Sequence, residues 1–232
     1  MLAQSLIPVI DLGADAPDEL LDAVRVATET VGVVQVLGHG IPGRLIGEFD
    51  QRIHQMLAGA AGLDEERVSH HVLDSIWAGH DLELRDLTFR YLTAGQSVCE
   101  RVLGLYARAQ RLPECAFPAG SLPYLGFTLN SYPTWTYPDT GSDEDRLLLI
   151  ESARASAVAI LAMGGDREEL RVQLPAGDWL PVPFVPGALQ VFSGALLTQW
   201  TSGRLRTARY RIVPEGTGPR RSVAIFYYQG HA

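Results

Sequence analysis

Up to about Leu112 the apolar positions of the chain recur mostly at helical spacing. A short exception comes first: "IPVIDL" (7–12) alternates apolar and polar residues around Pro8 and predicts a strand. In "APDELLDAVRVATETV", Leu20, Leu21, Val24 and Ala27 make one apolar stripe. Pro17 and Asp18 suit the start of that helix and Gly32 its end. "VVQVLGHGIP" is a β-branched strand running into a glycine-rich turn, and "GRLIGEFDQRIHQMLAGAAG" is a second amphipathic helix. Residues 64–90 are polar and mixed, which predicts a surface excursion. "SVCERVLGLYARAQRL" then carries Val98, Val102, Leu105 and Ala109 on one helical face and stops at Pro113.

Beyond Pro113 the rhythm shortens. "YLGFTLNSYPTW", "RLLLIESARASAVAILAM", "LRVQL", "DWLPVPFVPGALQVFSG", "RYRIVP" and "RSVAIFYYQ" are short apolar or alternating runs separated by Gly and Pro. Serial short strands after a helical half predict an α+β domain, with a sandwich or jelly-roll core flanked by N-terminal helices. No internal repeat or linker composition interrupts the chain, so residues 1–232 are expected to form one domain.

Composition narrows the function classes. A formal net charge of -8 argues against a broad nucleic-acid footprint. The N-terminus lacks the basic and apolar regions of a signal peptide, and no apolar run is long enough to span a bilayer, so a cytoplasmic protein with no membrane partner is expected. Cys99 and Cys115 are too few for a disulfide framework or a thiolate metal site, and they read as buried thiols. All 19 basic residues are arginine, which excludes Schiff-base chemistry and a Walker lysine.

Several stretches, in order, resemble the isopenicillin-N-synthase-like branch of the 2-oxoglutarate/Fe(II) dioxygenases. They are "IPVIDL", "VGVVQVLGHGIPGRLI", "LNSYP", "DWLPVPFVPGALQVFSGALLTQWTSGRLRTARYRIV" and "RRSVAIFYY". The resemblance implies a double-stranded β-helix (jelly-roll) fold. In that family a His-x-Asp pair and a distal histidine hold the iron and leave three positions open for the oxoacid and dioxygen. The matching positions here are Glu151, Ala153 and Tyr210, so the iron triad reads as lost. Of the six histidines, His39 reads as structural, and His80, beside Asp81, is the one whose chain segment would have to fold over the pocket to replace a ligand. The family's 2-oxoglutarate clamp matches Tyr132, Arg220 and Ser222, an arginine fork with two hydroxyls.

These readings lead to an enzyme that needs no cofactor. Glu151 and Tyr210 are expected to act as general base and general acid, in a funnel lined by Trp135, Phe192 and Tyr228. The expected reaction is a cyclisation, isomerisation or dehydration of a small organic or natural-product intermediate. Two alternatives stand beside it: an Fe(II)/2-oxoglutarate-dependent oxidoreductase with non-standard ligands, and a non-catalytic small-molecule-binding protein. A small molecule is the expected partner, and the absence of a C-terminal segment that closes the pocket in the family leaves room for a homodimer.

Overall fold

The computed structural model describes residues 6–59, 81–113, 116–117, 124–132, 157–164, 168–214 and 220–228. Strand β1 (Val9–Asp11) leads to helix α1 (Asp18–Thr30), strand β2 (Val33–Leu37) and helix α2 (Gly43–Gly59). Helix α3 (Leu82–Ala109) follows. Then come β3 (Tyr124–Tyr132), β4 (Val158–Gly164), β5 (Glu168–Gln173), β6 (Trp179–Pro181) and β7 (Leu189–Ser193). A short helix α4 (Ala195–Trp200) precedes β8 (Tyr210–Pro214) and β9 (Arg220–Tyr228). The helix-then-strand order matches the change of rhythm in the chain.

Helix α3 corrects one expectation. It starts at Leu82 and runs 28 residues, so its first two turns lie inside the stretch expected to be a surface excursion. Its start is set by Asp81, whose carboxylate accepts a hydrogen bond from the Leu84 backbone N–H at 2.9 Å. The other carboxylate oxygen takes the Arg52 guanidinium of α2 at 2.6 Å. One side chain thus caps α3 and ties it to α2. Phe49 of α2 and Tyr91 of α3 stack with centroids 4.7 Å apart just inside that tie.

The strands form two sheets. One has six strands in the order β1-β2-β7-β4-β9-β3, and the other has three, β6-β5-β8. All described pairings are antiparallel except β1 with β2. Helices α1 and α3 pack on the six-stranded sheet. The other face of that sheet meets the small sheet, because Phe192 of β7 stacks on Tyr210 of β8 with centroids 4.0 Å apart. The architecture is therefore helices, large sheet, small sheet, with mixed helix and strand content as expected. Among the described residues no helix is long and apolar enough to cross a membrane.

The six-stranded sheet's register sorts its residues between the two faces. Residues directly opposite in an antiparallel pair share a face, and the pattern alternates along each strand. Val33 pairs with Phe192, Phe192 with Ala159, and Ala159 with Phe226. This row lies on the face turned to the small sheet. The alternate row, with Val34, Val191 and Ile160, lies on the helix side. Ser193 belongs to that second set, next to the buried Tyr106 of α3. Burial pushes the Tyr106 phenol up, out of the range in which it ionises, and does the same to the Cys99 thiol, the buried cysteine of the described chain.

Candidate functional site

The inner face of the large sheet gathers several of the candidate site residues. Strand β3 pairs with β9 without a break, and Tyr132 lies opposite Arg220. Ser222 lies opposite Asn130 on β3 and opposite Met163 on β4. Counting by twos along β9 from Phe226 through Ala224 puts Ser222, Arg220 and Tyr228 on the Phe192 face. Arg221 pairs with Ser131 and falls on the opposite face, which settles which of the two adjacent arginines shares a face with Tyr132. The register therefore brings Tyr132, Arg220 and Ser222 to one end of the inner face. Phe192 lies two strands away from β9 on the same face.

Tyr210 approaches from the other sheet. It is the first residue of β8 and pairs with Val172 of β5. It is 3% exposed, and Val172 and Leu170 beside it are buried. The backbone leading into it is pinned at several points. Arg206 N–H donates to the Thr28 carbonyl at the end of α1 (2.9 Å), and Ala208 N–H donates to the Ser193 carbonyl of β7 (2.8 Å). Leu205 N–H donates to the Thr201 hydroxyl (2.9 Å), and the hydroxyls of Thr198 and Thr207 meet at 2.7 Å. The "WTSGRLRTARY" stretch is thus an anchored connection that delivers Tyr210 to a defined place.

Gly32 is part of the same anchor. It ends α1 with φ +71°, and its carbonyl accepts the Ser193 N–H at 2.8 Å. A Cβ there would meet the Arg206 carbonyl oxygen at 2.6 Å. The glycine is required both by its left-handed backbone and by the closeness of the segment that leads into β8.

His39 is a structural residue, as its position in a tight turn suggested. Its Nδ1 accepts the Ile41 N–H at 3.1 Å. Its pKa is lowered by burial first; a hydrogen bond to the Gly187 backbone works against that shift, and the Arg101 charge adds to it. Arg101 of α3 in turn donates to the carbonyls of His39 (3.2 Å) and Leu12. This cluster fixes the turn after β2 to the turn before β7. That second turn runs Val185-Pro186-Gly187-Ala188, closed by Ala188 N–H on the Val185 carbonyl at 3.0 Å, with Gly187 at φ +75°. Arg101 was not foreseen, because its role is to hold backbone carbonyls that are distant in the chain.

Glu151, Ala153, Trp135 and His80 lie outside the described residues. Asp81, next to His80, is occupied as the cap of α3 and the partner of Arg52. Among the described residues no group of three or more His, Cys, Asp or Glu could hold a metal. Of the three positions that match iron ligands in the resembled family, Tyr210 is the one described, and its ring is buried against Phe192 between the two sheets. Tyrosine oxygen is an established iron ligand in haem proteins, so this donor is compatible with iron although it differs from imidazole. The backbone register sets the three residues that match the family's 2-oxoglutarate clamp, Tyr132, Arg220 and Ser222, at neighbouring positions of β3 and β9.

Comparison with known proteins bears on the class. The family model of the 2OG-Fe(II) oxygenase superfamily matches residues 125–229. One curated relative and two solved structures align over nearly the whole chain. A 1-aminocyclopropane-1-carboxylate oxidase 1 of Oryza sativa subsp. japonica is 28% identical over 270 aligned residues, covering 99% of this chain and 81% of the relative. Among solved structures, the Arabidopsis thaliana dioxygenase for auxin oxidation 1, in its 2-oxoglutarate binary complex, superposes with a TM-score of 0.74 at 19% identity. That match covers 97% of this chain and 93% of the other. The rice dioxygenase for auxin oxidation gives a TM-score of 0.69 at 20% identity, covering 96% of this chain and 83% of the other.

The family match and the curated relative support membership of the 2OG-Fe(II) oxygenase superfamily and the status of an enzyme, while the two solved structures show the fold. They also overturn two expectations. The reading of an iron-independent cyclase, isomerase or lyase is corrected, because the matched family is one of Fe(II)- and 2-oxoglutarate-dependent oxygenases. The expectation of no cofactor falls with it. Its physical basis was the missing imidazoles. The residues matching the 2-oxoglutarate clamp were recognised beside that gap, and the backbone register keeps Tyr132 opposite Arg220.

Proposed function

We propose that this chain is an Fe(II)- and 2-oxoglutarate-dependent oxidoreductase, a hydroxylase or desaturase with a non-standard metal ligand set, built on a double-stranded β-helix core. The observation that carries the proposal is the β3–β9 register, which sets Tyr132 opposite Arg220 with Ser222 one step along the same face. A carboxylate clamp of this kind has a purpose in a site that binds a dicarboxylate, and the matched family binds one.

In this reading Arg220, with Ser222 and Tyr132, holds and orients the far carboxylate of 2-oxoglutarate. The near end of the oxoacid and the metal belong at the positions of Glu151, Ala153 and Tyr210. Iron with 2-oxoglutarate would supply the oxidising chemistry. The chain's own contribution is to bind, to orient and to keep water out, and the apolar residues of the inner face serve the last task. Phe192 and Tyr228 stand on that face, and Trp135 is assigned to it on the resemblance. The substrate is a small organic molecule that fits between the sheets.

The test is turnover of 2-oxoglutarate to succinate by the purified full chain, with Fe(II), a reductant and air. Succinate above the no-protein control supports the proposal. No succinate together with no iron retained after loading sinks it. Arg220→Gln should raise the KM for 2-oxoglutarate about 10- to 100-fold, because a charge-assisted hydrogen-bonded pair contributes roughly 1.5–3 kcal/mol. An unchanged KM would remove Arg220 from the clamp.

A further inference from the structure

We propose that the cleft between the turn after β1 and the C-terminal half of α3 is a second small-molecule site, and that it takes a zwitterionic α-amino acid with an apolar side chain. The cleft lies on the helix side of the large sheet and shares no residue with the inner face, so it stands independently of the proposed function.

Three observations carry it. The first is space. The cleft encloses about 370 Å³ between the 10–16 segment and one stripe of α3, formed by Arg101, Gly104, Leu105 and Arg108. That volume is in the range of small-molecule sites, which begin at about 300 Å³. The second is Gly104. A Cβ there would meet nothing within 4 Å, so close packing is not what this glycine serves. A glycine inside a helix weakens it relative to alanine, and what is gained here is room at the floor of the cleft.

The third observation is charge. Arg101 and Arg108 stand two turns apart on α3, about 10 Å, and Asp11 and Asp15 line the other wall. Among the described residues no ion pair joins any of these four charges to another or to a neighbour. Arg101 is held by the carbonyls of His39 (3.2 Å) and Leu12, and Asp11 accepts the Gly13 N–H at 2.8 Å. Both are therefore fixed in place while their charges stay unopposed. Cations on one wall and anions on the other select a ligand that carries both signs. A simple anion would also meet the aspartates, and a simple cation the arginines. A guanidinium suits the carboxylate of an amino acid, and the Asp15 carboxylate suits its ammonium. Leu12 and Ala16, both partly buried, and Leu105 give the side chain an apolar surface.

The experiment titrates L-leucine into the full chain and follows protein NMR shifts. Isocaproate and isoamylamine, which keep the leucine side chain but one charge each, are titrated beside it. L-Leucine should bind saturably. Each one-charge analogue should bind about tenfold more weakly or worse, because a hydrogen bond to a charged group is lost. Arg108→Gln and Asp15→Asn should each weaken leucine about tenfold for the same reason. Gly104→Leu favours the helix and fills the cleft, so it should abolish binding in a chain that remains folded by circular dichroism. Arg220→Gln, on the inner face, should leave leucine binding unchanged.

Absence of saturable leucine binding overturns the site. Analogues that bind as tightly as leucine, or charge variants that bind it unchanged, overturn the zwitterion assignment. Binding that survives Gly104→Leu, or disappears in Arg220→Gln, puts the ligand elsewhere and overturns the location.

Discussion

His39 shows how a single side chain with an ordinary chemistry becomes structural. Its Nδ1 must stay unprotonated to accept the Ile41 N–H, and Arg101 lies against the same turn. Its folded-state pKa is below the ordinary 6.5, through burial and then the Arg101 charge. Between the folded value and 6.5 the unfolded chain therefore binds more protons at this site. This contribution to stability rises with pH through that window and is level above it. Urea unfolding at about pH 7.5 and pH 5.5 should show the wild type weakening toward acid more steeply than His39→Asn. Equal slopes would mean that the turn does not feel the proton. Gly32 makes a sharper case. Alanine there would be strained at φ +71° and would press on the Arg206 carbonyl, so Gly32→Ala should cost about 1–3 kcal/mol or more, read from the denaturation midpoint.

At the scale of elements, most helices and strands were legible, and the reasons for the exceptions are physical. The "ESARASAVAILAM" run is alternately small and apolar, and its Val158–Gly164 part is a central strand between β7 and β9. The start of α3 was hidden because its first turns leave Leu82 and Phe89 exposed among charged residues, which blurs the apolar stripe formed by Leu84, Leu87 and Tyr91. The signal that could have found it is Asp81, a good capping residue three positions before Leu84. Asp81→Ala removes both the cap and the Arg52 tie and should cost about 1–2 kcal/mol in denaturant unfolding. Asp81→Asn keeps most of the cap and should cost less, so the difference between the two measures the cap. The clamp residues came from the resemblance, and period-two alternation along "RRSVAIFYY" placed Arg220 and Ser222 on one face and Arg221 on the other, which is the arrangement of the β3–β9 register. The Phe192–Tyr210 stack and the carbonyls held by Arg101 were not readable, since both join segments that the chain pattern leaves unconnected.

For the whole molecule, a ligand bound between the two sheets, as proposed above, would couple its binding to folding. Tyr210 belongs to one sheet, while Phe192, Tyr132, Arg220 and Ser222 belong to the other. A group held from both sides stabilises the closed arrangement over the unfolded chain by RT ln(1 + [L]/Kd). At a ligand concentration of about 100 Kd this is about 2.7 kcal/mol, and for a chain of this size each kcal/mol shifts the melting midpoint by about 2–4 °C. Adding 2-oxoglutarate with a redox-inert divalent stand-in for iron, such as Mn(II), should therefore raise the midpoint by about 5–10 °C. Either component alone should give less, because the oxoacid then lacks its second anchor. Removing the metal with a chelator should reverse the gain. Arg220→Gln should lose the oxoacid part of the gain and keep the metal part. If it loses the metal part as well, or keeps the whole gain, Arg220 is not a clamp for the oxoacid and the role proposed for the β3–β9 register is wrong.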